Sequence, residues 1–158
     1  MPDRLKLPAL DPATVKERVG TAYPPPLDAP VKARRKRPLG DAAGLTHFGV
    51  NLVELPPGCW SSQRHWHASE DEFVYVLEGE LVLVTDADEQ TLGPGMAAGF
   101  PAGKAEGHKL ENRSAAKAVY LEVGDRAATE EVVYTDSDMH LVRDGDGRRV
   151  TRKDGTPY

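Results

Sequence analysis

From residue 46 onward, apolar and polar positions alternate in short runs that break at glycine, proline or acidic pairs. Phe48–Leu55, Glu72–Glu78, Leu81–Thr85, Glu89–Leu92, Ala118–Val123 and Glu131–Tyr134 each read as a strand, with turn signals such as Pro56-Pro57-Gly58 and Gly93-Pro94-Gly95 between them. Many short strands at this spacing predict an all-β antiparallel sandwich or barrel over residues 46–135. Leu141 to Arg152, interrupted by Asp144-Gly145-Asp146-Gly147, predicts a hairpin within a C-terminal segment, 136–158, that packs on the barrel. The longest run of apolar side chains, Phe73 to Leu77, is far too short to cross a membrane as a helix.

Residues 1–45 have a different texture. Eight of the thirteen prolines lie in residues 1–38, so this part reads as an extended arm. One short helix is expected at Pro12 to Val19, with Asp11 as its N-cap, Pro12 at its first position and Gly20 at its end. The arm also carries spaced apolar anchors: Leu5, Leu7, Leu10, Val15, Val19, Tyr23 and Leu27. A barrel of this size needs no such anchors for its own core, so they predict a homodimer in which the arm crosses to the partner.

Charge sharpens the division. Residues 1–38 hold nine Lys/Arg against four Asp/Glu, and residues 39–158 hold eleven against twenty-one. An acidic body does not suit nucleic acid, and the basic run Lys32 to Arg37 reads as a solvated arm or an intersubunit contact. With 158 residues and 39% hydrophobic content, the chain can bury one ordinary core. A single Cys59 excludes an internal disulfide framework and a thiolate-rich metal site, and the absence of a secretory-type apolar stretch near Met1 makes the cytoplasm the expected location. No histidine is placed to activate Cys59, which reads as a small buried residue.

Three of the five histidines form the chemical signal. His65 and His67 lie two apart, so on a strand both side chains point the same way and can converge on one ion. Glu72, opening the next strand, can add an oxygen, and His108 can add a third imidazole from a neighbouring strand. Imidazole and carboxylate together suit one divalent first-row ion: Fe, Mn, Ni, Co, Cu or Zn. Gln63 shares parity with His65 and His67, Val74 and Val76 share parity with Glu72, and Phe100 falls near the mouth; all four are candidate pocket lining. Glu70 and Asp71 are either a solvated acidic loop or hydrogen-bond partners of a ligand imidazole. His47 and His140 read as structural or surface residues.

The two blocks, Gly58-CWSSQR-His65-Trp66-His67-ASED-Glu72-FVYVLE-Gly79 and Gly95-MAAGF-Pro101-Ala102-Gly103-KAEG-His108-KLE-Asn112, resemble the paired motifs of the cupin superfamily. The chain looks most like its small single-domain conserved-barrel members, some of which carry sugar-phosphate isomerase labels. Gly58 to His65 is one residue longer than the common pattern and Gly103 to His108 two longer, both in turns. The resemblance implies a double-stranded β-helix, or jelly-roll, barrel with His65, His67, Glu72 and His108 as ligands of one metal ion. It also points to a dimer built by shared strands or arms. Two functions remain open: a metal-dependent enzyme on a small molecule, of oxygenase or isomerase/lyase type, and a non-catalytic metal- or small-ligand-binding module such as a sugar binder or sensor. No general acid/base pair stands out beyond the ligands.

Overall fold

Alternation decides which side of each strand is inside. The computed structural model describes residues 5–158. Its strands are β1 (Arg18–Val19), β2 (Arg35–Pro38), β3 (Phe48–Leu55), β4 (His65–His67), β5 (Glu72–Glu78), β6 (Leu81–Thr85), β7 (Glu89–Leu92), β8 (Ala97–Phe100), β9 (His108–Glu111), β10 (Ala118–Asp125), β11 (Glu130–Tyr134), β12 (His140–Asp144) and β13 (Gly147–Thr151). They form two antiparallel sheets, β1-β2-β3-β10-β5-β8 and β13-β12-β11-β4-β9-β6-β7. Between them lie Val53 and Leu55 of β3, Val74 and Val76 of β5, Leu81 and Leu83 of β6, Leu110 of β9, and Ala118 and Tyr120 of β10. The architecture is the all-β barrel of two antiparallel sheets that the alternation predicts.

The other parity of the first sheet is apolar too. Phe48, Phe73, Tyr75 and Leu77 are exposed, and Leu121 lies between Leu52 and Tyr75 in the register. No helix of the described residues is long and apolar enough to cross a membrane.

In the arm the structure departs from the expected helix at Pro12 to Val19. Asp11 does cap a turn, accepting from the Ala13 amide, but the turn is a 3₁₀ segment limited to Pro12–Thr14. Val15, β-branched like Thr14, is already extended, and Arg18 and Val19 are taken up by pairing with Arg35 and Lys36 of β2. The basic run also differs from a solvated arm, because Arg35–Pro38 is a strand paired along β3. Arg35 and Arg37 both meet Glu17 at 2.8 Å, whereas Lys36 reaches Glu122. Between β1 and β2 the chain runs as linked turns that bury Val31 completely and place Tyr23 and Leu27 against Val132, Tyr134, Met139 and Leu141. A short helix α1 (Leu39–Ala42) leads into β3. Of the expected anchors, Tyr23 and Leu27 pack on the body of the same chain, Val15 is buried, and Leu5, Leu7 and Val19 are exposed.

In the C-terminal segment β12 and β13 pair as a hairpin, with Asp144 opposite Gly147 at the turn. One turn glycine is indispensable. Gly79 adopts φ +77°, and a Cβ there would sit 2.5 Å from the Lys117 carbonyl oxygen. Gly79→Ala should therefore cost at least about 2 kcal/mol, from left-handed strain plus a backbone overlap that cannot relax through a side chain. Chemical denaturation of the two proteins, read as a shift in midpoint, tests this.

Candidate metal centre

Register brings the candidate ligands together. β4 pairs with β9 so that His65 lies directly opposite His108, and His67 projects from the same side of β4 two residues on. Glu72 opens β5 in the other sheet and closes the group from across the interior. Its Oε2 lies 3.0 Å from His108 Nε2, 3.3 Å from His67 Nε2 and 3.8 Å from His65 Nε2. His65 Nε2 and His67 Nε2 are 3.1 Å apart.

These distances suit an ion. Donors held about 2.0–2.1 Å from one centre stand about 3 Å apart at adjacent positions. The Nδ1 of His65 lies 2.8 Å from the Gln63 carbonyl, which can only accept, so the proton sits on Nδ1 and Nε2 keeps its lone pair for the interior. A lone pair directed at a second imidazole nitrogen and a carboxylate oxygen needs a proton or a cation between them. The donor atoms of His65, His67 and Glu72 all lie within 4.8 Å of one another, and His108 joins through its contact with Glu72.

Electrostatics follow from burial and this clustering. Desolvation alone would raise the Glu72 pKa, but the hydrogen bond with His108 and the neighbouring imidazoles of His65 and His67 hold it well below the usual carboxylate range. Burial would also depress His67, yet the hydrogen bond and charge of Glu72, with the charges of Glu130 and Glu70, lift it above the ordinary imidazole value. His108 shifts down, because burial and the two neighbouring rings outweigh Glu72. Behind His67, its buried Nδ1 makes no hydrogen bond and lies 3.9 Å from Glu130 Oε2 and 4.0 Å from Glu70 Oε2. Glu70 is not a solvated loop residue, since it also binds Arg143 and the Ala127 amide. Asp71 accepts from the Ala102 amide and shapes the loop.

Two cavities adjoin the cluster. One, about 210 Å³, is lined by His67, His108, Phe100, Leu83 and Lys104; Phe100 stacks on His108 with ring centroids 3.6 Å apart. The other, about 330 Å³, is lined by His65, His67, Glu72, Lys36, Asn51 and Glu122. Phe100 lines the first of these cavities. Gln63 does not, because it is buried and donates its amide to the Leu27 carbonyl at 2.7 Å, tying the arm down. Val74 and Val76 lie deeper, in the core, and line neither cavity. Cys59 is buried and its pKa is raised by desolvation, in line with an inert thiol. His140 meets Glu131 at the surface and His47 is exposed. Lys36, Asn51 and Glu122 are the residues that sequence reasoning passed over, because only the β2-β3-β10 register shows that they share an inward face.

The raised pKa of His67 has a signed consequence for the metal-free chain. Stability from the protonated ring is complete below the ordinary histidine value and is lost as pH rises through the higher folded value. The Glu72 contribution occupies a different window, vanishing as pH falls through its depressed value. The thermal midpoint of metal-free protein should therefore decline on the alkaline side of the ordinary histidine pKa, and His67→Ala should remove that slope. Because a ligating ring must be neutral, adding a divalent ion near neutral pH should also release protons, measurable with an indicator dye in weak buffer.

Comparison with known proteins gives the family. The cupin domain family matches residues 51–124, a span that includes His65, His67, Glu72 and His108. A solved structure described as a sugar phosphate isomerase of the cupin superfamily, from Silicibacter pomeroyi, is 49% identical, with 96% of each chain covered and a TM-score of 0.91. A sugar phosphate isomerase candidate from Acidithiobacillus ferrooxidans is 32% identical over 80% of each chain, with a TM-score of 0.73. The polyketide cyclase RemF from Streptomyces resistomycificus is 26% identical, with 77% of this chain and 80% of that one covered and a TM-score of 0.61. No curated protein matches the chain. With identity near one half across almost its whole length, this chain belongs to the cupin family.

Proposed function

We propose that the protein is a mononuclear divalent-metal enzyme of isomerase type that acts on a small hydroxy-carbonyl compound of the sugar class. The observation that carries this is the convergence of three imidazole nitrogens and one carboxylate oxygen beside two cavities large enough for a small molecule. His65, His67, Glu72 and His108 would hold the ion, and Phe100 would fix the His108 ring by stacking. A bound divalent ion supplies Lewis acidity, polarising a carbonyl oxygen. Four protein ligands leave coordination positions for two substrate oxygens on a six-coordinate ion. The two relatives with sugar phosphate isomerase descriptions support the reaction class over an oxygenase.

Elemental analysis of protein purified without added metal should find one divalent first-row ion per chain. His67→Ala should weaken metal binding by at least about 100-fold, and His140→Ala should leave it unchanged. The metal-loaded protein should interconvert aldoses and ketoses, or their phosphates, followed by proton NMR. Full metal occupancy with no conversion across that panel would overturn the enzyme reading in favour of a binding module.

We also propose a homodimer, built on the exposed apolar side of the first sheet, where Phe73, Tyr75 and Leu77 stand in one row. Light scattering at micromolar concentration should give the mass of two chains, and Tyr75→Glu should halve it. A full-length protein that runs as a monomer refutes the assembly.

A further inference from the structure

The larger cavity contains a polar group that the metal centre does not use. Glu122 of β10 projects into it, directly opposite Asn51 of β3 and Val74 of β5. Lys36 Nζ lies 2.7 Å from Glu122 Oε2, and Asn51 Nδ2 donates to the same oxygen at 3.0 Å. That oxygen is held from two sides. The other, Oε1, receives no hydrogen bond from the described residues and is not sealed in the core. In the register, Glu72 stands diagonally from Glu122 across β5 and β10, a relation that sets their backbone positions about 7–8 Å apart. Both line the same cavity of about 330 Å³, which has room for a two- or three-carbon fragment.

The remaining carboxylates of this cavity have other tasks. Glu72 belongs to the histidine cluster, Glu70 binds Arg143, and Asp71 and Asp125 accept loop amides. Asp41 binds Arg126 and lies 3.8 Å from Arg18. Each cation lining the cavity therefore already faces a carboxylate, and what it offers a ligand is carboxylate and amide, which recognise hydroxyl groups.

We propose that Glu122 is the proton-transfer residue of this site, held in place by Lys36 and Asn51, and that it acts on the hydroxyl-bearing, unphosphorylated end of a hydroxy-carbonyl substrate. This rests on the isomerase reading above. The Glu122 carboxylate takes the proton from the carbon that carries the hydroxyl. The C–H electron pair becomes the carbon–carbon double bond of an enediolate, and the carbonyl π pair moves onto its oxygen. The hydroxyl proton then passes from one oxygen to the other. Protonated Glu122 finally returns its proton to the former carbonyl carbon. The product is the isomeric hydroxy-carbonyl, and no oxidant or second substrate is consumed. Lys36 is a positioning residue, and through it the arm strand β2 becomes part of the site.

The test uses full-length wild type, Glu122→Gln, Glu122→Asp and Lys36→Met, each loaded with Mn(II). Equal metal content in all four shows that the variants are folded and that the histidine cluster is intact. Two readouts follow: calorimetric binding of glycolohydroxamate, which resembles the enediolate of the smallest hydroxy-aldehyde, and deuteration of carbon-bound hydrogen in D2O with C3–C6 aldoses and ketoses and their phosphates. Glu122→Gln should lower kcat for deuteration by about 100-fold or more with KM little changed, and should weaken hydroxamate binding about tenfold. Glu122→Asp should recover part of both, and Lys36→Met should fall between. If wild type binds and deuterates but Glu122→Gln matches it, the Glu122 assignment is overturned while the isomerase reading stands. If wild type neither binds the hydroxamate nor deuterates any sugar or sugar phosphate, the isomerase reading falls and this assignment falls with it.

Discussion

Glu72 places a carboxylate, only 15% exposed, among three imidazoles in the seam between two sheets, and a charge taken from water into such a place costs several kcal/mol unless partners surround it. The surrounding structure meets that requirement one element at a time. Antiparallel pairing sets His65 opposite His108, the period of two sends His67 to the same side, and the Gln63 carbonyl orders the His65 ring. Phe100, stacked flat on His108, excludes water from one side. The loop after β4 is built to keep this geometry, with Glu130 accepting from the Ala68 and Ser69 amides and Glu70 anchored on Arg143.

Much of this was legible in the chain because inward and outward positions differ in polarity wherever a strand borders the core. Phe48–Leu55 and Glu72–Glu78 could be bounded to the residue for that reason. His65, His67, Glu72 and His108 were legible because two motifs bracket them with glycines that turns require. β2 was not, since Arg35, Lys36 and Arg37 are charged on both sides of the strand and carry no hydrophobic period. Their alternation is one of partners, Glu17 outside and Glu122 inside, and partners 86 residues away in sequence leave no local trace. Gln63 failed for a related reason. It precedes β4 rather than belonging to it, so strand parity does not govern its side chain.

The arm changes character once its contacts are known. A proline-rich, basic segment invites reading as an appendage, yet Arg34 donates to the Ser61 carbonyl, the Trp60 amide donates to Pro30, and Val31 is fully buried. Ordering a chain without regular structure costs about 1–2 kcal/mol per residue in backbone entropy. The turn hydrogen bonds, the packing of Tyr23 against Tyr134 and the ion pairs of β2 offset that cost together, and no single one of them is sufficient.

The pairing of β10 with both β3 and β5 also dictates a sequence of events. Strands separated by tens of residues must meet before any cavity exists, and such non-local pairing is slow compared with hairpin closure. During synthesis, β2 and β3 emerge long before the strand that completes their sheet, and the histidines of β4 wait for β9 and for β11 before their register is fixed. A ribosome-bound chain ending before Ala118 therefore presents an open apolar sheet edge and scattered imidazoles in place of a formed centre. The histidine cluster belongs to the finished chain, and the nascent one depends on rapid completion, or on a chaperone, to keep that edge from pairing elsewhere.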